Sequence, residues 1–240
     1  MSTVAPPHVA GRLLSVEEAR DRVLAAVPRP LRAEAASPVS AVGRILAESV
    51  VAETSLPPWD NAAMDGYALR AEDVVGASAD EPVRLMVIGE VRAGAPPDIA
   101  VRSRTAVRIA TGAVIPPGAD AVVPVEDTTA LDPLGKPMGS RGRDASGPLP
   151  ASCLVHVAVA PGSSIRVAGS DLAGGATILD RGALVTPAAV ALIAGAGVRQ
   201  VRVHRAPRVG VLATGDEVRA PGEPLGEAGI PDANRPALLA

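Results

Sequence analysis

Val83-Arg84-Leu85-Met86-Val87-Ile88 is where the chain changes from helix-like periodicity to short apolar runs. Similar runs follow at Thr105–Ala110, Ala121–Val125, Leu154–Val159 and Ser164–Val167. Gly- and Pro-rich turns such as Ala93-Gly94-Ala95-Pro96-Pro97 and Pro116-Pro117-Gly118 separate them. Short apolar runs between such breakers read as strands joined by tight turns, which predicts a compact β-module. Working backward, Ser15 with Glu18 forms a capping box, and Val16, Ala19, Val23 and Leu24 recur at helical spacing up to Pro28. An amphipathic helix is predicted there, and a second short helix over Val42–Leu46 after Pro38. Working forward, Ala130–Ser152 carries four Pro, four Gly and few large apolar residues, so a mobile loop is predicted. Thr186 as N-cap, Pro187 in the first turn and Gly195 or Gly197 beyond the end bracket a further helix, whose apolar face is expected to pack on the first. Gln200–His204 and Arg208–Ala213 then read as strands, the second apolar on both faces as in a buried parallel sheet.

Composition narrows the function. With 48% apolar and 20% charged residues over 240 positions, the chain has an ordinary globular balance and room for more than one core. Trp59 and Tyr67 are its only aromatic residues, so the cores must be built from Val, Leu, Ile and Ala. A net charge of -3 with interspersed signs and no stacking platforms argues against nucleic acid as a partner. The longest nearly uncharged segment, Pro187–Val198, is too short to span a bilayer, and no basic, apolar leader opens the chain; a cytoplasmic protein without membrane contact is expected. Cys153 is alone, and His8, His156 and His204 are dispersed, so neither a disulfide nor a zinc motif is indicated.

Four clusters carry candidate chemistry. The first, Pro57-Pro58-Trp59-Asp60-Asn61-Ala62-Ala63-Met64-Asp65-Gly66-Tyr67-Ala68, is too broken for a helix. Its Asp and Asn side chains can bond their own backbone and hold a loop that presents Asp65 to a metal or a phosphate-linked substrate; a plain turn in which Asp60 caps a short helix is the alternative. In the second, Arg108-Ile109-Ala110-Thr111-Gly112-Ala113, a strand ends in Thr-Gly and offers a hydroxyl and backbone N–H groups to an oxyanion, or simply turns. The third, Ile165-Arg166-Val167-Ala168-Gly169-Ser170-Asp171, sets a guanidinium and a carboxylate either side of a glycine turn. Arg166 can clamp an anion while Asp171 takes magnesium, or the two can pair on the surface. The fourth, Thr214-Gly215-Asp216-Glu217, follows the predicted buried strand, a place where ligands collect in α/β sheets, although Asp216 as an N-cap gives the same pattern.

In this order, with Pro116-Pro117-Gly118-Ala119-Asp120-Ala121-Val122-Val123 and Glu126-Asp127-Thr128 after the second cluster, the chain resembles the N-terminal part of the molybdopterin molybdenumtransferase family, which includes the E domain of gephyrin. The resemblance runs from about Leu14 to Asn234. It implies an α+β multidomain fold: a flexible leader over 1–11, a discontinuous helical and β dimerising domain from 12–55 and 168–206, an inserted β-rich domain over 56–167 with its loop at 130–152, and the start of a truncated α/β pterin-binding domain over 207–240. The implied activity is insertion of molybdate into adenylated molybdopterin with release of AMP, dependent on Mg2+ or another divalent metal. By the same resemblance Asp65, Thr111, Asp171 and Glu217 are catalytic, Asp65 and Asp171 hold the metal, and Arg166, Thr214, Gly215 and Asp216 bind substrate. A homodimer and a pathway partner, molybdopterin adenylyltransferase, are implied as well. Ala62 stands where the family usually has Ser, and Ser170 where it has an acidic residue. The family continues past Asp232-Ala233-Asn234 into glycine-rich pterin-binding segments not present in this chain, so it is expected to be incomplete for catalysis alone; a non-catalytic scaffold fragment of the gephyrin type is the competing expectation.

Overall fold

A computed structural model describes residues 14–27, 29–142 and 147–240, and the fold is mixed α/β. The chain divides into two compact units, Ala35–Val201 and the pair of segments Met1–Glu34 and Arg202–Ala240. The leader expected at 1–11 and the stop expected at Pro28 lie outside the described residues.

The larger unit is built on a six-stranded sheet in the spatial order Ala121–Pro124, Gly66–Leu69, Thr105–Ile109, Val83–Val91, Ser152–Val155, Thr128–Leu131. All neighbours are antiparallel except Val83–Val91 with Thr105–Ile109, which run parallel with an irregularity between Val87 and Glu90. Two-residue periodicity divides the side chains between two cores. Tyr67, Leu69, Leu85, Val87, Ala106, Val123, Cys153 and Val155 fill one, and Ala68, Val91, Val107, Ile109 and Val122 fill the other. Tyr67 is fully buried, so one of the two aromatics is a core residue. Gly66 is required by close approach: a Cβ there would lie 2.0 Å from the Val123 carbonyl oxygen.

The strands predicted between Val83 and Val167 are found with shifted ends. The predicted loop at 130–152 is narrower than expected, because Ala130, Leu131 and Ser152 belong to paired, buried strands. Its low apolar content hid a strand whose few inward residues suffice to join a sheet edge. Residues 143–146 of that loop lie outside the described residues. The short helix expected at Val42–Leu46 is instead a 3-10 turn at Val39–Ala41, after which Ile45 bridges to Leu184. Val50–Val51 pairs with Thr177–Leu179. Thr186 caps the helix Pro187–Gly195 as predicted, its hydroxyl accepting the Ala189 N–H at 3.2 Å, and the helix buries Ala189 and Ile193.

In the smaller unit the helix Val16–Ala25 carries the predicted capping box: the Ser15 N–H donates to Glu18 at 2.9 Å and the Glu18 N–H to Ser15 Oγ at 3.1 Å. The helix buries none of its residues. The strand expected at Arg208–Ala213 is a correction. Those residues take no regular structure and no described strand pairs with them, leaving Val209 75% and Leu212 90% exposed. An apolar run becomes a central strand only where neighbours accept its hydrogen bonds and cover both faces. Val218–Arg219 and Ile230–Pro231 form a short parallel pair beyond it.

Candidate active site

The antiparallel register Gly66↔Ile109 sets the residue before one strand beside the residues after the other, and so brings Asp65 to Thr111. Asp65 Oδ1 accepts both the Thr111 N–H at 2.7 Å and the Thr111 hydroxyl at 2.8 Å. From the opposite side the Val125 N–H donates to the Asp65 carbonyl at 3.0 Å. The backbone and one carboxylate oxygen are thereby fixed, while Oδ2 accepts no hydrogen bond among the described residues and the side chain is exposed. The Thr111 N–H, and after it the Thr111 hydroxyl, hold the Asp65 carboxyl below the usual carboxylate range, with burial opposing weakly. Asp65 is a preorganised anion at neutral pH.

The third cluster is bonded to the first along its length. Arg166 faces Asn61 in an antiparallel pair whose other members are Ile165 and Ala62, and the Ala63 N–H donates to the Ser164 carbonyl at 2.8 Å. Asp60 Oδ1 accepts the Ala168 N–H at 2.7 Å, the Gly169 N–H donates to Pro57, and the Asp171 N–H to Leu56. On the other flank Asn61 bridges Val114, while Ala62 and Gly112–Ala113 exchange backbone bonds at 3.0 and 2.8 Å. Residues 56–66 therefore form the seam between the second and third clusters. Three of the four motifs converge, within one unit of the chain.

Within the third cluster Arg166 and Asp171 form an ion pair, with side chains 48% and 56% exposed, and Ser170 Oγ donates to Asp171 at 3.3 Å. This is the surface pairing that the sequence left open beside anion clamping. An exposed pair of this kind contributes roughly 0–1 kcal/mol, so either partner can exchange for a ligand at little cost. The donors of Thr111 are directed at Asp65, so its place in the structure is behind that carboxylate. Arg108 is buried and structural: it donates to Glu90 Oε1 at 2.9 Å and to the Gly147 carbonyl at 2.9 Å. Burial acts to raise the Glu90 carboxyl, but Arg92 and Arg108 outweigh it and leave it lowered.

Thr214, Gly215, Asp216 and Glu217 lie in the other unit, in an exposed turn that closes with the Val218 N–H on the Gly215 carbonyl at 3.1 Å. The Asp216 carbonyl accepts a hydrogen bond from the Arg219 guanidinium at 2.7 Å, which makes Asp216 part of a turn and gives no helix cap.

Two residues were missed by sequence reasoning as site builders. Asp60 ties the third cluster to the first, and Asn61 buries an Oδ1 that has no hydrogen-bond partner among the described residues. Their position inside the dense first motif was the available signal. Among the described residues no group of three or more His, Cys, Asp or Glu gathers as a metal cage. The open Oδ2 of Asp65 nevertheless suits Mg2+, which commonly takes one or two carboxylates together with substrate phosphates and water.

The chain is 39% identical over 226 residues to "Molybdopterin molybdenumtransferase 2" of Mycobacterium tuberculosis, covering 94% of this chain and 51% of that protein. It is 35% identical to the molybdopterin molybdenumtransferase of Haemophilus influenzae, covering 93% and 50%. The structure of a molybdopterin biosynthesis moeA protein from Pyrococcus horikoshii OT3 superposes with a TM-score of 0.74 at 33% identity, over 91% of this chain and 54% of that one. The chain spans about half the length of the curated relatives it matches. Residues 14–197 match the family described as MoeA N-terminal region (domain I and II), and the chain belongs to that family.

Proposed function

We propose that this chain serves the insertion of molybdate into adenylated molybdopterin with release of AMP, and that its seam of motifs organises the anionic groups of that reaction. The observation that carries the proposal is the carboxylate of Asp65, held by Thr111 through one oxygen and open at the other, three residues after the strand Asn61–Ala62 that pairs with Ile165–Arg166. Asp65, with Asp171 as a second donor, would hold a divalent cation such as Mg2+. When bound, that ion screens phosphate charge and polarises the phosphoanhydride. Arg166 exchanges Asp171 for an oxyanion of molybdate or phosphate, since a bidentate guanidinium contact to such an anion exceeds an exposed ion pair. Thr111 keeps Asp65 ionised and oriented. By the family resemblance Thr214, Gly215 and Asp216 are proposed to bind substrate and Glu217 to take part in catalysis.

Asp65→Asn keeps the shape of the side chain and removes its charge. Molybdate-dependent AMP release by the protein carrying these residues is expected to fall about 100-fold or more. Near-normal turnover by a folded Asp65→Asn protein would remove Asp65 from the site.

We further infer a homodimer, cytoplasmic localisation and molybdopterin adenylyltransferase as the supplier of adenylated substrate. The proposed domain division, 12–55 with 168–206 around an inserted 56–167, draws support from backbone bonds that link residues 43–56 to residues 169–185, Ala52 to Ala176 and Leu46 to Ala183 among them. Monomer alone by light scattering at micromolar concentration would count against the dimer.

A further inference from the structure

Trp59, the only tryptophan, stands half-exposed over a pocket of about 400 Å³ completed by Gly94, Ala95, Pro96, Pro97 and Val114. That volume falls within the roughly 300–1,000 Å³ of small-molecule clefts, and the walls are an indole, two proline rings and aliphatic groups. A large aromatic left open to water beside prolines offers stacking to a flat ring. The pocket is continuous with the candidate site through the backbone. Trp59 precedes Asp60, which holds Ala168, and Val114 is bridged to Asn61 three residues after Thr111.

We propose that this pocket receives the adenine ring of an adenylyl group, stacked on Trp59, which rests on the adenylated-substrate reading above. A pterin is the other flat ring in that substrate. It carries an amide carbonyl and N–H in addition to its amine and ring nitrogens, and walls without polar side chains would leave these unpaired at a cost of roughly 1–3 kcal/mol each. Adenine has one amine and otherwise ring nitrogens, and it binds well by its faces.

Because the chain has one tryptophan, a single indole N–H signal in a 15N-correlated NMR spectrum reports on the pocket directly. Titration of the full chain with AMP is expected to shift that signal saturably, while ribose 5-phosphate leaves it in place. Trp59→Ala is expected to weaken AMP binding by about 5- to 150-fold in calorimetry, the loss of one base–aromatic stack, with Trp59→Phe close to the starting affinity. Three results would overturn the proposal: an indole signal unmoved by millimolar AMP, an equal shift with ribose 5-phosphate, or a larger shift with a simple pterin than with AMP at equal concentration. The titration needs no turnover. A failed titration with AMP release still lost in Asp65→Asn would reject the adenine pocket alone, and a successful one with normal release in Asp65→Asn would reject only the role of Asp65.

Discussion

Two segments of this chain carry nearly the same sequence signal and meet different fates. Val107-Arg108-Ile109-Ala110-Thr111-Gly112 and Val211-Leu212-Ala213-Thr214-Gly215 are both apolar runs that end in Ala-Thr-Gly. The first is flanked on both sides, by Gly66–Leu69 and by Val83–Val91, and its Val107 and Ile109 are essentially inaccessible. The second has no strand partner among the described residues and is exposed. At the end of the paired run the Thr-Gly step meets the carboxylate of Asp65; at the end of the unpaired run Gly215 lies against the carboxylate of its near neighbour Glu217. To the first Thr-Gly step the sheet delivers a partner from far along the chain; at the second the neighbouring carboxylate is local.

The largest expected effect tests the backbone contact that makes the first run possible. Gly66→Ala would drive a Cβ into the Val123 carbonyl, where backbone on both sides leaves no room to yield, and is expected to cost roughly 3 kcal/mol or more in chemical denaturation. Gly210→Ala, with nothing within 4 Å of the added Cβ, should stay within about 0.5 kcal/mol. Equal costs would erase the contrast between the runs.

Hydrogen exchange sharpens the same contrast without mutation. Amides of Val107 and Ile109 should exchange only through opening of the larger unit, whereas those of Val209, Val211 and Leu212 should exchange at rates near those of an unstructured chain. Matching protection would show that the second run is a strand after all.

The smallest effect concerns titration of Asp65. Its folded pKa is depressed, so its contribution to stability is present above the unfolded value of about 3.9 and is lost as pH falls through the lower folded value. Thr111→Val removes the hydroxyl but keeps the N–H, so the carboxyl should titrate closer to the ordinary range by carbon-detected NMR, and the loss of stability on the acid side should shrink. An unmoved titration would mean that the hydroxyl does not hold the carboxylate.

Much of the fold was legible because its elements are locally marked: the capping box at Ser15 and Glu18 and the Thr186-Pro187 helix start appear as read, and the β-rich runs between turns appear with shifted ends. The chemistry of the first three clusters was legible as residue types. Their convergence was not, because it rests on the register Gly66↔Ile109 and on the Arg166↔Asn61 pairing, which join residues 43 and 105 positions apart. The strand at Thr128–Leu131 was hidden by a composition resembling a loop. The error at Arg208–Ala213 had the opposite origin: the pattern was that of a strand, and the partners that decide the matter are not encoded in the run itself.

The sequence left Thr111 as a donor to an oxyanion or part of a plain turn, and in the structure its N–H and hydroxyl are directed at Asp65. A double-mutant cycle on molybdate-dependent AMP release separates action through Asp65 from direct contact with substrate most directly. If Thr111 acts by holding Asp65, Thr111→Val should slow release in the wild-type background and cause little further loss once Asp65→Asn is present. If the two losses multiply, Thr111 meets the substrate by itself and the account of a carboxylate anchored by its neighbouring strand is wrong.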